Sequence, residues 1–291
     1  MTISVLMSVY HSEKADYLNL SLKSVWTDQT HKPDQIVLVE DGVLGKDLLQ
    51  AIAEWKGILQ DKLVVIVNDK NLGLTKSLNK GIRFCTSDLI ARMDSDDISV
   101  PDRFEMEVNF LMNHPDIMVV GGDIQEFNSN NEYLSVRKHP RTNEEILHSI
   151  YKANPLAHST VMIRRELFDK GIFYDEQYRK NQDLNLWFRT LKAGYKIANL
   201  DEILLYFRRD DEMFRRRSRK SAFFEFRIYM KGIYSLYGLF NYYYIYPITR
   251  LCFRLMPNKL MKKVYESNVR KMVTNANYAD SGKSATPIAS V

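Results

Sequence analysis

"DLIARMDSDD", Asp88 to Asp97, is the stretch that decides how this chain is read. It opens as an apolar run of strand length and closes by setting Asp94, Asp96 and Asp97 within four residues. Carboxylates that close repel one another in a folded site unless something positive sits among them. A strand that stops on such a cluster predicts a ligand site at the strand end. Hard carboxylate oxygens there predict Mg2+ or Mn2+ rather than zinc. Two protein carboxylates do not fill the shell of such an ion, so phosphate oxygens and water are expected to complete it. The cation would then bridge the protein and a diphosphate. The plain alternative is an acidic turn capping a helix that starts near Pro101.

Three more apolar runs of strand length come before it: "ISVLMSVY" (Ile3 to Tyr10), "QIVLVEDG" (Gln35 to Gly42) and "LVVIVND" (Leu63 to Asp69). Their near-continuous apolar content suits strands covered on both faces. Helical segments lie between. "YLNLSLKSVWTDQ" puts Leu18, Leu22, Val25 and Trp26 on one face, and "LTKSLNKGI" spaces Leu74, Leu78 and Ile82 four apart. Alternating strand and helix implies a parallel, doubly wound sheet with right-handed crossovers. Ligands of such sheets lie outside the carboxyl ends of the strands, where Tyr10, Asp41, Asn68 and Asp94 to Asp97 all fall. Beyond Pro101, "DRFEMEVNFLMNH" reads as a helix with Val108, Leu111 and Met112 inward. "IMVVGG" and "HSTVMIRR" read as strands. "QDLNLWFRTLKAG" (Gln182 to Gly194) is a helix stopped by Gly194, and "YKIANLDEILLYFRR" is a closing strand.

Taken together, these motifs resemble the family 2 glycosyltransferases, over about two-thirds of the chain from Val5 to Arg208. The resemblance implies an α/β fold of the glycosyltransferase A type, a Rossmann-like mixed sheet flanked by helices. "SVLMSVYHSE" is similar to the family's opening strand, whose end (Ser8, Val9, Tyr10) would hold the base and ribose of a UDP-sugar. "VLVEDGV" makes Asp41 the expected contact to uracil or ribose. Asn68, and "NLGLTKSLNKGI" with Leu74, would line the nucleotide. "ARMDSDD" matches the metal motif: Arg92, Asp94 and Ser95 are expected at the UDP-sugar, with Asp94 and Asp96 on Mn2+ or Mg2+. "QDLNLW" resembles the segment carrying the catalytic base, here Asp183; Gln182 stands where the family more often has Glu. Arg208, with Arg215 to Arg217, is expected to close over the diphosphate. His158, Gln182 and Trp187 are candidates for acceptor contact. Each has a plainer alternative: Asp183 as a helix N-cap, Trp187 as core, Arg92 and Arg103 as partners of the acidic cluster, and Lys76 and Lys80 as a solvated helix face.

One base and no enzyme nucleophile imply a single displacement with inversion, through an oxocarbenium-like state. Resemblance to bacterial O-antigen and exopolysaccharide transferases points to galactose first and glucose second as donor sugar. It points to a polyprenyl-diphosphate-linked GlcNAc or GalNAc as acceptor, and to a β-1,3 linkage. Two other classes compete. A sugar-phosphate nucleotidylyltransferase would need a Gly-rich phosphate loop after the first strand, where "SVYHSEKADYLN" has no glycine. A membrane-tethered sugar-nucleotide-binding protein without turnover would not need the intact Asp94, Asp96 and Asp183.

The 291 residues carry a net charge of +5 that hides an asymmetry. Met1 to Glu212 has a balance of −7, whereas Met213 to Met272 has 14 Lys/Arg against two acids. The same stretch holds 14 of the 34 aromatic residues. Basic and aromatic side chains together favour the headgroup boundary of an anionic membrane surface. Between Lys231 and Arg250 runs an uncharged segment of 18 residues, at the lower limit for a span. Its tyrosines, Asn241 and Pro247 favour helices lying in the interface, with packing on the body or a homodimer contact as the alternative. No zinc spacing or RNA-recognition signature accompanies the charge, so no nucleic acid is expected. The expected organisation is a catalytic domain at 1–212 (nucleotide half 1–100, acceptor half 101–212), an amphipathic membrane-associating helical extension at 213–273, and a disordered tail at 274–291. Two lone cysteines fit a reducing compartment. "MTISVLMSVYHSEK" reads as a first strand, not a signal peptide. The expected place is peripheral, on the cytoplasmic face of the bacterial inner membrane.

Overall fold

The computed structural model describes residues 1–209, 219–255 and 278–279. Strands β1 (Ile3–Val9), β2 (Gln35–Asp41), β3 (Leu63–Asn68) and β4 (Leu89–Arg92) lie parallel in the order β3-β2-β1-β4. Helices α1 (Ala15–Val25), α2 (Lys46–Leu59) and α3 (Leu74–Ile82) make the crossovers. This is the doubly wound half that the alternation predicts. Alternate residues of β1 feed the two sides. Val5, Met7 and Val9 join Leu18, Leu22 and Val25 of α1 on one side, while Leu6 joins Leu78 and Ile82 of α3 on the other.

After β4 the sheet becomes mixed. A two-residue strand β5 (Ile98–Ser99) leads into α4 (Arg103–Asn113), then β6 (Ile117–Phe127) and β7 (Tyr133–Arg137). Short helices α5 (Asn143–Leu147) and α6 (Glu166–Asp169) flank β8 (Met162–Arg164). Strand β8 runs antiparallel between β4 and β6, and β9 (Lys196–Arg208) pairs with β6 in parallel and β5 in antiparallel. The strand expected over "HSTVMIRR" shrinks to three residues, because His158–Thr160 form a 3-10 turn first. In α4 the buried stripe is Phe104, Val108 and Leu111; Met112, expected inward, is 60% exposed. It lies one position past the stripe, on the solvent side.

Helix α7 (Gln182–Lys192) ends as predicted, with Gly194 at a φ of +84°. The extension begins with α8 (Arg219–Tyr237), which packs on α7. Ile228, Tyr229 and Ile233 are buried in one core with Trp187 and Phe188. A Cβ on Gly232 would meet the Phe188 ring at 2.4 Å, so only glycine permits this approach. After a 3-10 turn over Tyr242–Tyr244, α9 (Ile245–Leu255) returns along α8. Tyr243 stacks on Tyr151 of the body at 3.9 Å, and the Tyr237 hydroxyl donates to the Leu147 carbonyl. The inner face of the extension is therefore part of the body, the reading held as the alternative. Its outer face exposes Phe223, Phe224, Tyr234, Leu239 and Phe240. Among the described residues no helix is long and apolar enough to cross a membrane. The boundary expected at Glu212 and the triplet Arg215 to Arg217 lie outside the described residues. Within the expected disordered tail, Tyr278–Ala279 form a strand, β10, against Arg137 and Val136.

Candidate active site

The acidic turn leaves β4 at Arg92. The Arg92 guanidinium is buried and donates to both oxygens of Asp94. Asp94, Asp96 and Asp97 each offer an oxygen within 4.8 Å of the others. Asp97 is fastened as well as buried: its Oδ1 accepts from the Arg208 backbone N–H at 2.9 Å. Asp96 is the carboxylate left in the cluster's field. Burial, then the charges of Asp94 and Glu13, push its pKa up to about 7. Of the three acids only Asp94 is paired with a guanidinium, that of Arg92, which leaves uncompensated negative charge, and all the donors are hard oxygens. That set fits a divalent cation of the Mn2+ or Mg2+ kind, which Asp94 and Asp96 would hold.

Glu13 belongs to this group, and sequence reading missed it. Ser95 Oγ donates to Glu13 Oε2 at 3.1 Å, tying the segment after β1 to the acidic turn. The only signal was a carboxylate a few residues past a strand end. Arg208 closes the turn from the other side. Its Nε donates to the Asp96 carbonyl at 2.9 Å, and its guanidinium lies 3.8 Å from the Tyr17 ring centroid. Phe127 offers a second ring at 4.5 Å. At 5% exposure, Arg208 buttresses the acidic turn. Its Nη2 is buried with no protein partner among the described residues.

Asp41 and Asn68 form a second group on the rim. Asp41 Oδ1 accepts from the Leu72 N–H at 2.7 Å and Oδ2 from the Gly73 N–H at 2.9 Å. Asn68 Nδ2 donates to Asp41 Oδ1 and to Ser77 Oγ, while Lys80 Nζ donates to Asn68 Oδ1 at 2.9 Å. Lys80 is thus tied to the rim and Lys76 is exposed. Gly42 permits this packing: its φ is +92°, and a Cβ there would sit 2.6 Å from the Asn71 nitrogen. Asp41 acts here as the anchor of the β3–α3 loop. Ser8 and Tyr10 are half-buried beside it on the β1 end, Val9 is buried, and Leu74 is half-buried against the core.

Asp183 sits in the first turn of α7. The cap position is Asn181, whose φ of 54° is left-handed, so Asp183 is not the N-cap. The Asn154 amide donates to Asp183 Oδ2. Burial raises the Asp183 pKa, and the Leu184 backbone N–H, the Asn154 amide and the charge of Arg92 only partly reverse this. Tyr174 connects this carboxylate to the acidic turn. Burial pushes its phenol up, Arg92 pulls it down, and the charges of Asp183 and Asp94 push it up again. All four groups share one electrostatic neighbourhood. The Tyr174 hydroxyl pairs with His158 Nε2 at 2.8 Å, and burial with nearby Arg92 holds His158 well below its usual range, as a neutral imidazole.

Residues 4–173 match the family model described as glycosyl transferase family 2. The chain belongs to that family. This family 2 glycosyltransferase is 33% identical over 274 residues to the amylovoran biosynthesis glycosyltransferase AmsE of Erwinia amylovora, spanning 91% of this chain and 98% of the relative. It is 28% identical over 272 residues to the UDP-Gal:alpha-D-GlcNAc-diphosphoundecaprenol beta-1,3-galactosyltransferase of Escherichia coli, spanning 93% and 97%. Its fold is that of S. aureus TarS 1–349 in complex with UDP-GlcNAc, at a TM-score of 0.62 and 19% identity over 94% of this chain and 76% of that one. The mannosyltransferase PcManGT of Pyrobaculum calidifontis, in complex with GDP-Man and Mn2+, aligns with the same TM-score at 12% identity, over 94% and 81%.

Two of the acceptor candidates lie inside the fold of this glycosyltransferase. Trp187 is fully buried in the α7–α8 core, edge-on to His158, and presents no face to a sugar. Gln182 is buried at the helix start. Arg103 donates to Glu107 at 3.1 Å and to the Arg92 carbonyl at 2.9 Å. His158 remains in the site wall. Asn154 and Tyr174, which sequence reading missed, gave no local signal at all.

Proposed function

We propose that this chain is an inverting hexosyltransferase that uses a UDP-sugar and Mn2+ or Mg2+, with Asp183 as its general base. The observation that supports this reading most is the placement of Asp183, a half-buried carboxylate in the first turn of α7 that accepts from the Asn154 amide and shares the electrostatic neighbourhood of the acidic turn. In the proposed displacement the acceptor hydroxyl gives its proton to Asp183 and its oxygen bonds the anomeric carbon. The bond from that carbon to the diphosphate breaks, and UDP leaves. A cation held by Asp94 and Asp96 would neutralise the charge that collects on the leaving diphosphate. Arg92 holds Asp94 in place, and Arg208 and Ser95 keep the turn from opening.

The name of the E. coli relative supports galactose as the donor sugar, GlcNAc-diphospho-polyprenol as the acceptor and a β-1,3 linkage. UDP-glucose is the second donor, and GalNAc the second acceptor sugar. The amylovoran relative supports a place in O-antigen or exopolysaccharide synthesis. A screen of nucleotide sugars against a synthetic GlcNAc-diphospho-lipid should show UDP release with UDP-galactose first. Exclusive use of a GDP- or dTDP-sugar would overturn the donor assignment.

Such an acceptor lies at a membrane, and the outer face of α8 and α9 suits one. Phe240 is 96% exposed, Phe223, Phe224 and Tyr242 are exposed as well, and Lys231 lies on the same helix as Phe223 and Phe224. Docking from the cytoplasmic side would bring the site to headgroup level. Vesicles with anionic lipid should float the protein at low salt, with each nearby Lys/Arg contributing about 1 kcal/mol. Replacing Phe223, Phe224 and Phe240 together by Ser should release it without unfolding, since none of the three is in the core. A failure to float at low salt would overturn the docking and leave the packing reading, on the body or in a homodimer contact.

A further inference from the structure

We infer that Asn79, with Thr75 beside it, is a positioning residue that locks the base Asp183 to the nucleotide-binding rim; this rests on Asp183 being the base. Residues 172–181, which lead into α7, form neither helix nor strand. A buried backbone without a ladder of its own must find partners elsewhere. Here α3 supplies them. Asn79 Nδ2 donates to the Tyr174 carbonyl at 2.9 Å and to Glu176 Oε1 at 3.2 Å, while the Tyr174 N–H donates to Asn79 Oδ1 at 3.1 Å. One amide side chain thus pairs with both backbone groups of Tyr174, as a neighbouring strand would. One turn earlier on the same helix face, Thr75 Oγ1 donates to the Tyr178 carbonyl at 2.5 Å. Asn79, Thr75, Tyr174 and Tyr178 are all buried. From the other side, Arg189 of α7 donates to the Phe173 carbonyl at 2.5 Å.

Helix α3 is in turn fixed to the rim. Asp41 holds the backbone at Leu72 and Gly73, and Asn68 holds Ser77. A continuous run of hydrogen bonds therefore leads from the ends of β2 and β3, through α3, to the segment that ends at Asp183. The Tyr174 hydroxyl places His158 on the same anchor. The base and the nucleotide rim come from segments about 140 residues apart in sequence, and this clamp ties the one to the other. A misplacement of about 1 Å at a reacting group costs on the order of 100-fold in rate.

The test compares Asn79→Ala and the near-isosteric Thr75→Val with wild type and Asp183→Asn. UDP affinity by calorimetry should stay within about twofold in both clamp variants, while kcat for UDP release from UDP-galactose with GlcNAc-diphospho-lipid falls about 10- to 100-fold. Hydrogen exchange should rise over residues 171–183 and stay unchanged over 3–10 and 35–41, a readout that needs no donor. Adding Asn79→Ala to Asp183→Asn should lower the residual rate less than about twofold, because the clamp acts through the base. Unchanged exchange and kcat in the clamp variants, beside an inactive Asp183→Asn, would overturn the clamp alone. Loss of UDP affinity in step with kcat would overturn it too, in favour of a role confined to the nucleotide site. Full kcat in Asp183→Asn would overturn the base and this inference together. Should Asn79→Ala fail to fold, Thr75→Val carries every arm.

Discussion

Asp183→Asn is expected to lower kcat at least ~100-fold while UDP affinity changes little, the usual scale for a lost general base. Asparagine has nearly the same shape, and its carbonyl oxygen can still accept from the Asn154 amide that holds Oδ2 in the wild type. What is lost is the ability to take the acceptor's proton. The pH profile gives a second, signed expectation. Burial holds the Asp183 pKa above the ordinary carboxylate range. The active carboxylate form is therefore lost as pH falls through that raised value, giving kcat an acid limb that the residual activity of the Asn variant lacks. Stability should move the other way. A folded-state pKa above the unfolded one means that ionised Asp183 opposes folding at neutral pH, and the penalty fades as pH drops. The Asn variant, neutral throughout, should melt no lower than wild type at pH 7, as is common where a site trades stability for activity. Equal kcat in wild type and variant across neutral pH would reassign the base.

Asp96→Ala should abolish turnover and remove the metal dependence of UDP binding, with the fold retained. The fold argument is specific. Arg208 grips the turn through the Asp96 carbonyl and through Asp97 Oδ1, and alanine preserves both bonds. Removing a carboxyl held up to about 7 by burial and by neighbouring carboxylates relieves repulsion in the apo protein. Circular dichroism should then match wild type and melting should come no lower, while titration calorimetry shows UDP binding that no longer responds to Mn2+ or EDTA. Full activity of the wild type in excess EDTA would count against the metal at this site.

The sequence by itself determined the order of elements in the first half, the strand ends that carry Asp41, Asn68 and Asp94 to Asp97, and the helix start that carries Asp183. These are legible because they are local: apolar periodicity over a few residues marks a strand or a helix, and a polar residue at its end marks the rim. The tertiary structure decided what each group does there. Arg208 grips a turn 111 residues away, Asn154 holds a carboxylate 29 residues on, and Asn79 pairs with a backbone 95 residues on. It also turned β8 antiparallel, put Met112 in solvent and Trp187 in the core, and folded the inner face of α8 onto α7. Such pairings follow from which surfaces meet when the chain closes long loops, and no window of a few residues contains both partners.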